Sequence, residues 1–196
     1  AITSLLTATA YRRSAELAAT HGPYPGYARN AEAHRRIMRR HADADAGLPT
    51  AGHGSDVARI HAAAGGQWTR CLDLGAVHGW RNAQASLIAP TGTIGIVMDC
   101  DTAGVEPDFA LVKTRKVVDG GEQRVVNTSV ARALAGLGYD DRQAAGILSH
   151  IGTHGEAAGA PGLRDTDLAV FDCATGTRPI SPLGHLRMMA AIQPFL

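Results

Sequence analysis

The chain has 196 residues, of which 45% are hydrophobic and 19% charged, and its formal net charge is +1. This composition supports one packed domain or a piece of a larger one, and it excludes a globally disordered chain. The near-zero net charge argues against a nucleic-acid partner, which needs a broad basic surface. The sequence has no apolar run near the roughly 18 residues of a membrane span and no signal peptide, so we expect a cytoplasmic protein with no membrane partner.

The cysteines are three in number and far apart along the chain: Cys71, Cys100 and Cys173. Their odd number and the lack of CxxC spacing argue against a disulfide framework and against a zinc ribbon. We therefore expect that no two of them form a redox pair.

The first half of the chain predicts helices. An apolar stripe predicts a helix over residues 2–20, which the segment HGPYPGY ends because two prolines and two glycines cannot continue it. Asn30 is the expected N-cap of a second helix that runs to about residue 46. Residues 47–55 predict an exposed linker, and residues 56–77 predict a third helix.

The second predicted helix carries an arginine run, Arg35, Arg36, Arg39 and Arg40. Such a run is typical either of a patch that binds phosphate or nucleic acid, or of an ordinary solvated helix face. Flanking acidic residues favour the solvated face.

The second half of the chain mixes short strands with helices. Residues 84–89 predict a strand buried on both faces, and residues 109–118 predict another, followed by a glycine turn and a return strand at residues 125–126. The last strand is expected at residues 168–173.

Helices are expected between and after these strands. Ser129 or Asn127 is the predicted cap of a helix that runs to residue 137. Asp140 and Asp141 open another helix that runs to about residue 151, and the last helix covers residues 182–195. Because helices alternate with short strands, the predicted fold class is α/β.

A loop rich in glycine and threonine, APTGTIG, follows the strand predicted at residues 84–89. Its residues are Ala89, Pro90, Thr91, Gly92, Thr93, Ile94 and Gly95. Backbone N–H groups at a strand-to-helix junction attract anions, glycines permit close approach, and threonine hydroxyls add donors. Neither the Walker pattern nor the GxGxxG pattern is present. The residues alone therefore leave open a phosphate-binding loop or a plain tight turn, and we expect a helix to begin within residues 93–97.

Carboxylates cluster just after this loop. Asp99, Asp101, Glu106 and Asp108 surround Cys100. Carboxylates suit hard cations, but the spacing matches no EF-hand, and a structural role is the alternative that we favour. His150 and His154 are four residues apart without the glutamate of an HExxH motif, which also favours a structural or capping role. We expect no metal site.

Several segments together resemble the adenosylcobalamin-dependent (class II) ribonucleotide reductases. The longest is RNAQASLIAPTGTIGIVMDCDTAGVEPDFALVK at residues 81–113. NTSVARALAGLGY, GTHGEAAGAPGL, LAVFDCA and GHLRMMAAIQPF follow it along the chain. The resemblance covers nearly the whole sequence.

The resemblance implies a helix-rich part of a ten-stranded α/β barrel. Enzymes of this family reduce ribonucleotides to deoxyribonucleotides through a cysteine thiyl radical that adenosylcobalamin generates. Carried over, residues 89–95 hold the phosphates of the ribonucleotide substrate. The radical cysteine of the family lies in an Asn-Pro-Cys-x-Glu motif that none of the three cysteines matches, so no catalytic residue is expected in this chain.

The resemblance also implies partners, which are the remainder of the reductase chain, a thioredoxin-like reductant, nucleotide effectors and a second copy in a homodimer. We interpret residues 1–196 as the C-terminal portion of the catalytic domain, truncated at both ends. The alternative is a stand-alone module derived from this fold that binds nucleotide or phosphate without chemistry.

Overall fold

The computed structural model describes residues 1–49, 54–98, 100–102, 104–116 and 120–196. Its residues divide into two compact units, unit 1 with residues 1–88 and 189–196, and unit 2 with residues 89–188. Among the described residues, no helix is both long enough and apolar enough to cross a membrane.

Unit 1 is helical. It contains α1 (Ile2–His21), α2 (Tyr27–Ala46), α3 (Ser55–His78) and a short 3-10 helix (Gln193–Phe195). The predicted helices at residues 2–20 and 56–77 are confirmed within a residue or two at each end. Part of the predicted linker, residues 50–53, lies outside the described residues.

Aromatic rings dominate the core of unit 1. Its buried members are Ala8, Tyr11, Ala15, Tyr27, Met38, Trp68, Cys71 and Trp80. Trp80 follows the end of α3 and folds back onto it, so that a β-carbon added to Gly75 would lie 1.9 Å from Cζ2 of the Trp80 ring. The other face of Trp80 stacks on His34, with ring centroids 4.7 Å apart.

A buried polar network joins the three helices of unit 1. Ser4 Oγ on α1 donates a hydrogen bond to Asp45 Oδ1 on α2 at 2.6 Å. Trp68 Nε1 on α3 donates to the same Ser4 oxygen at 2.9 Å. Because buried polar atoms are costly without partners, these bonds favour one arrangement of the helices.

The predicted cap Asn30 is wrong. α2 begins at Tyr27, and Gly26 precedes it with a φ of 85°. Asn30 lies inside the first turn, where its Nδ2 donates to the Gly26 carbonyl at 3.0 Å. The helix starts early because Tyr27 is buried in the aromatic core, so tertiary packing outweighs the local capping preference.

The strand predicted at residues 84–89 is also wrong. These residues, all described, form an irregular segment in which Leu87 is 70% exposed. The backbone here bonds to side chains of α1 instead of to a neighbouring strand. Asn82 N donates to Ser14 Oγ at 2.8 Å, and Ala85 N donates to the Tyr11 hydroxyl at 3.2 Å.

Unit 2 combines helices with a small sheet. Its elements are α4 (Thr93–Val97), β1 (Val112–Lys116), β2 (Glu122–Val126), α5 (Ser129–Gly136), α6 (Asp141–His154) and a 3-10 helix (Asp165–Phe171). The last helix, α7 (Pro182–Ile192), spans the boundary between the two sets of residues. The helices predicted to start near residues 129, 141 and 182 are therefore confirmed.

The predicted hairpin is confirmed, although β1 begins at Val112 and not at residue 109, and β2 begins at Glu122, earlier than the predicted return. β1 and β2 pair antiparallel, with Val112 opposite Val126 and Lys116 opposite Glu122. The predicted first strand extended to residue 118, but residues 117–119 lie outside the described residues.

The strand predicted at residues 168–173 is wrong, because residues 168–171 belong to a 3-10 helix and residues 172–173 follow its end. Leu168 and Phe171 pack against the same core, whereas Val170 is 56% exposed. The apolar residues therefore recur with a period of three, as a 3-10 helix requires, and not with the period of two of a strand.

The core of unit 2 forms where α5 and α6 pack together and β2 contacts α6. Its buried members are Leu111, Val130, Leu134, Tyr139, Ile147, Ile151, Ala157, Ala160, Phe171 and Cys173. The α/β prediction is thus confirmed in part, since the described residues are rich in helix with one two-stranded sheet. A ten-stranded barrel stays a prediction.

Candidate functional site

The glycine-threonine loop runs directly into α4, which begins at Thr93 as expected. Gly92 has a φ of 58°, a backbone conformation that glycine adopts at little cost. Apart from Gly92 and its two chain neighbours, no described atom lies within 4 Å of the position where a Gly92 β-carbon would stand. The main chain at Gly92 is therefore open to an incoming ligand.

Gly95 is buried and closes the loop on itself. A β-carbon added there would lie 2.5 Å from Thr91 Oγ1, which is too close for any real contact. The Gly95 carbonyl accepts a hydrogen bond from Cys100 N at 2.9 Å, which ties the loop to the segment that follows α4. Gly92 and Gly95 thus have different roles, because one permits access and the other permits close packing.

A cavity of about 840 Å³ opens beside the loop. Gly92 and Gly95 line one part of it, the hairpin contributes Lys113, and α7 contributes His185. This volume lies within the usual range for small-molecule sites.

Asp101 accepts three hydrogen bonds from the start of α5. Thr128 N donates to Oδ1 at 3.1 Å, while Thr128 Oγ1 and Ser129 Oγ donate to Oδ2 at 2.7 and 2.9 Å. Burial alone would raise the pKa of Asp101, but these hydrogen bonds outweigh it and hold the pKa below its ordinary value. The carboxylate therefore holds the residues at which α5 begins.

The Asp108 carboxylate is likewise bound by neighbouring side chains. Lys113 Nζ lies 2.8 Å from Asp108 Oδ1, and Asn127 Nδ2 donates to Asp108 Oδ2. Of the other predicted acidic residues, Asp99 lies outside the described residues. Among the residues that the structure describes, no group of three or more His, Cys, Asp or Glu side chains is arranged to hold a metal ion.

The remaining candidates from the sequence have structural environments. His150 and His154 stack with centroids 4.0 Å apart, and the His154 ring contacts the His150 carbonyl where α6 ends. Arg36, Arg39 and Arg40 are exposed on α2. All three cysteines are free in the structure, and the expectation that no two of them form a redox pair stays a prediction.

Of the seven predicted loop residues, Gly92 and Gly95 line the cavity, and the assignment of residues 89–95 to phosphate binding stays a prediction. Sequence reasoning missed Lys113 and His185, which lie far from the loop along the chain and reach the cavity only through the fold.

Comparison with known proteins identifies the family. The family described as "Ribonucleotide reductase, barrel domain" matches residues 1–196. Among similar proteins named vitamin B12-dependent ribonucleotide reductase, that of Streptantibioticus cattleyicolor is 57% identical and that of Streptomyces clavuligerus 56%. The protein of that name from Rhodopirellula baltica is 44% identical.

Each of these three alignments covers 100% of this chain. The chain spans 32% of the length of the first relative, 20% of the second and 19% of the third. With the family matched from its first residue to its last, the chain belongs to the ribonucleotide reductase barrel-domain family, and these relatives are the vitamin B12-dependent reductases.

Proposed function

We propose that this chain is the substrate phosphate-binding part of a vitamin B12-dependent ribonucleotide reductase that reduces ribonucleoside diphosphates to deoxyribonucleotides. The observation that carries the proposal is the open main chain at Gly92, within a loop of a chain that matches this family throughout. Residues 89–95 are the proposed contacts of the phosphates.

The loop residues would hold the phosphates without reacting with them. Main-chain N–H groups near Gly92 and the hydroxyls of Thr91 and Thr93 are suitable donors to phosphate oxygens. Because phosphoryl transfer is no part of ribonucleotide reduction, the loop needs no catalytic lysine. Its contribution is to hold the ribose in a fixed position for the radical chemistry.

The cofactor of the proposed enzyme is adenosylcobalamin, which supplies the radical when bound. The described residues do not fit this group. The cavity beside the loop, about 840 Å³, suits a ligand of nucleotide size and not a corrinoid with its two axial groups. The thiols of Cys71 and Cys173 are buried in the cores of unit 1 and unit 2, so neither is exposed to a bound cofactor. We therefore assign cobalamin binding to the remainder of the reductase chain.

The remainder of the reductase also supplies the other proposed partners. The relatives are roughly three to five times as long as this chain, as their covered shares of 32% and 20% require. We infer that the radical and redox cysteines, the contacts with a thioredoxin-like reductant, the effector sites and any homodimer interface lie there.

The test is a steady-state comparison in the full-length reductase. Gly92→Val places a β-branched side chain at a positive φ where a ligand oxygen would approach, so we expect a strongly raised KM and nearly unchanged cobalamin affinity. Gly162→Val is the matched control, because Gly162 also has a positive φ, 79°, and no described atom within 4 Å of its β-carbon position.

Thr91→Val should have a smaller effect than Gly92→Val. Loss of one neutral hydrogen bond costs about 0.5–1.5 kcal/mol, and loss of one to a charged phosphate up to about 3 kcal/mol. If Gly92→Val, Thr91→Val and Gly162→Val all keep the wild-type KM, residues 89–95 are only a tight turn and the proposal fails.

A further inference from the structure

The segment behind the candidate phosphate loop is fastened to the rest of unit 2 through Asp101. Its carboxylate accepts hydrogen bonds from Thr128 N, Thr128 Oγ1 and Ser129 Oγ, at 3.1, 2.7 and 2.9 Å. These groups lie at the start of α5, where backbone N–H groups have no partners within the helix. A carboxylate from a distant part of the chain therefore binds the N-cap residue Thr128 and its neighbour Ser129, alongside the local side chain of Asn127.

The main chain of Asp101 is held as well. Lys113 Nζ on β1 donates a hydrogen bond to the Asp101 carbonyl and forms an ion pair with Asp108. Asn127 joins the two halves of this network, since its Nδ2 donates to Asp108 and its Oδ1 accepts from Ser129 N at 2.8 Å. Asp101 is thus fixed from α5 through its side chain and from β1 through its backbone. Networks that are satisfied in this way restrict a segment to one arrangement.

The residue before Asp101 bonds to the loop. Cys100 N donates to the Gly95 carbonyl at 2.9 Å. The last residue of the loop is therefore tied to the segment that Asp101 holds.

We propose that Asp101, which also lines the cavity beside the loop, is a positioning residue for the phosphate loop: through Cys100 it fixes the main chain of residues 89–95 in the form that receives phosphate. This inference rests on the proposed function of the loop. A binding loop that is already ordered loses less conformational entropy when the ligand arrives, and small displacements of positioning groups have large effects.

The same contacts assign a structural role to Lys113. It lines the cavity beside the loop, but its ammonium group is engaged by Asp108 and by the Asp101 carbonyl. Its contribution to phosphate binding is therefore indirect, through Asp101.

The experiment uses the full-length reductase with Asp101→Leu, which keeps the approximate size of the side chain and removes both acceptors. We expect the substrate KM to rise between about 10-fold and 100-fold, with kcat changed less than about twofold. The inhibition constant of inorganic pyrophosphate should rise by a similar factor, because pyrophosphate would contact the same loop as the phosphates of the substrate. Asp101→Asn should lie between wild type and Asp101→Leu, since its amide oxygen still accepts from Thr128 N.

Asp140→Leu is the matched control. Asp140 caps α6 in the same unit, through a hydrogen bond from Gln143 N at 2.8 Å. This variant also removes a carboxylate that binds the start of a helix, so it should lower stability while leaving the KM at its wild-type value. Hydrogen exchange provides a readout independent of turnover, and amides of residues 91–97 should exchange faster in Asp101→Leu but not in Asp140→Leu.

Three outcomes would overturn the inference. A wild-type KM in Asp101→Leu, with a raised KM in Gly92→Val, would refute the role of Asp101 and leave the phosphate loop standing. Wild-type values in both variants would refute the proposed function itself. Equal changes in Asp101→Leu and Asp140→Leu would mean that the KM follows the general stability of unit 2. If Asp101→Leu does not fold, the same comparisons apply to Asp101→Asn.

Discussion

Replacing Gly75 with alanine should destabilise unit 1, although alanine is the better helix former. Gly75 lies inside α3, and there the exchange alone would contribute about 1 kcal/mol of stability. The added methyl group would, however, lie 1.9, 2.3 and 2.5 Å from three atoms of the Trp80 ring. These distances are far shorter than van der Waals contact, so either the ring or the helix has to move.

Trp80 has little freedom to move. It is 1% exposed, its ring stacks on His34, its Nε1 contacts Cys71 Sγ at 3.4 Å, and its carbonyl accepts from Tyr24 N at 2.9 Å. Overpacking a core costs about 1–3 kcal/mol, and this overlap belongs at the upper end. After subtracting the gain in helix propensity, we expect a net loss of about 2 kcal/mol in the free energy of unfolding.

Gly66→Ala is the control on the same helix, because no described atom lies within 4 Å of its β-carbon position. That variant should be more stable than wild type by about 0.5–1 kcal/mol. Urea unfolding followed by tryptophan fluorescence measures both, since the chain's two tryptophans, Trp68 and Trp80, lie in the core of unit 1. In a Trp80→Phe background, the cost of Gly75→Ala should shrink. Equal stabilities of Gly75→Ala and Gly66→Ala would refute the reasoning.

Three further predictions concern other parts of the chain. Burial lowers the pKa of His34, with repulsion from His41 as a smaller cause, so unfolding takes up a proton. The free energy of unfolding should therefore fall as the pH drops below about 6.5, and it should fall less in His34→Phe. Urea midpoints across that range test this, and parallel curves would contradict it. Tyr139→Phe removes a 2.6 Å hydrogen bond to Asp167 and should cost about 1–2 kcal/mol by urea unfolding followed by circular dichroism, whereas an unchanged midpoint would show that the bond contributes nothing. The isolated 196-residue chain should form no deoxynucleotide with adenosylcobalamin and a dithiol, because it lacks the thiyl motif, and product detected by chromatography would refute this.

Local signals predicted the helices well. The apolar stripe of α1 and the acidic start of α6 were sufficient, and the structure adds a complete capping box between Asp140 and Gln143. Both wrong strands were short apolar runs, for which periodicity cannot separate a strand from other buried segments. At and just before residues 84–89 the backbone contacts came from Tyr11, to Ala85, and from Ser14, to Asn82, more than 60 residues earlier in the chain.

The same contrast between local sequence signals and long-range contacts holds for the candidate site. The start of α4 at Thr93 could be predicted, because the glycines and threonines of the loop are contiguous and directly precede the helix. The support of the loop could not, because Asp101 is joined to Thr128 and Lys113 by contacts that local sequence does not encode. A position that local rules describe as a surface aspartate thus becomes, in the fold, a link between α5 and the loop.

The unequal burial of the three thiols gives this chain a single point of chemical attachment. Burial raises the pKa of Cys71 to about 11 and also raises that of Cys173, so both remain protonated and shielded near neutral pH. Cys100 is exposed and lines the cavity beside Gly92 and Gly95. A maleimide dye or spin label added to the folded chain should therefore react at Cys100 first. The label would report on the surroundings of the loop without any engineered residue.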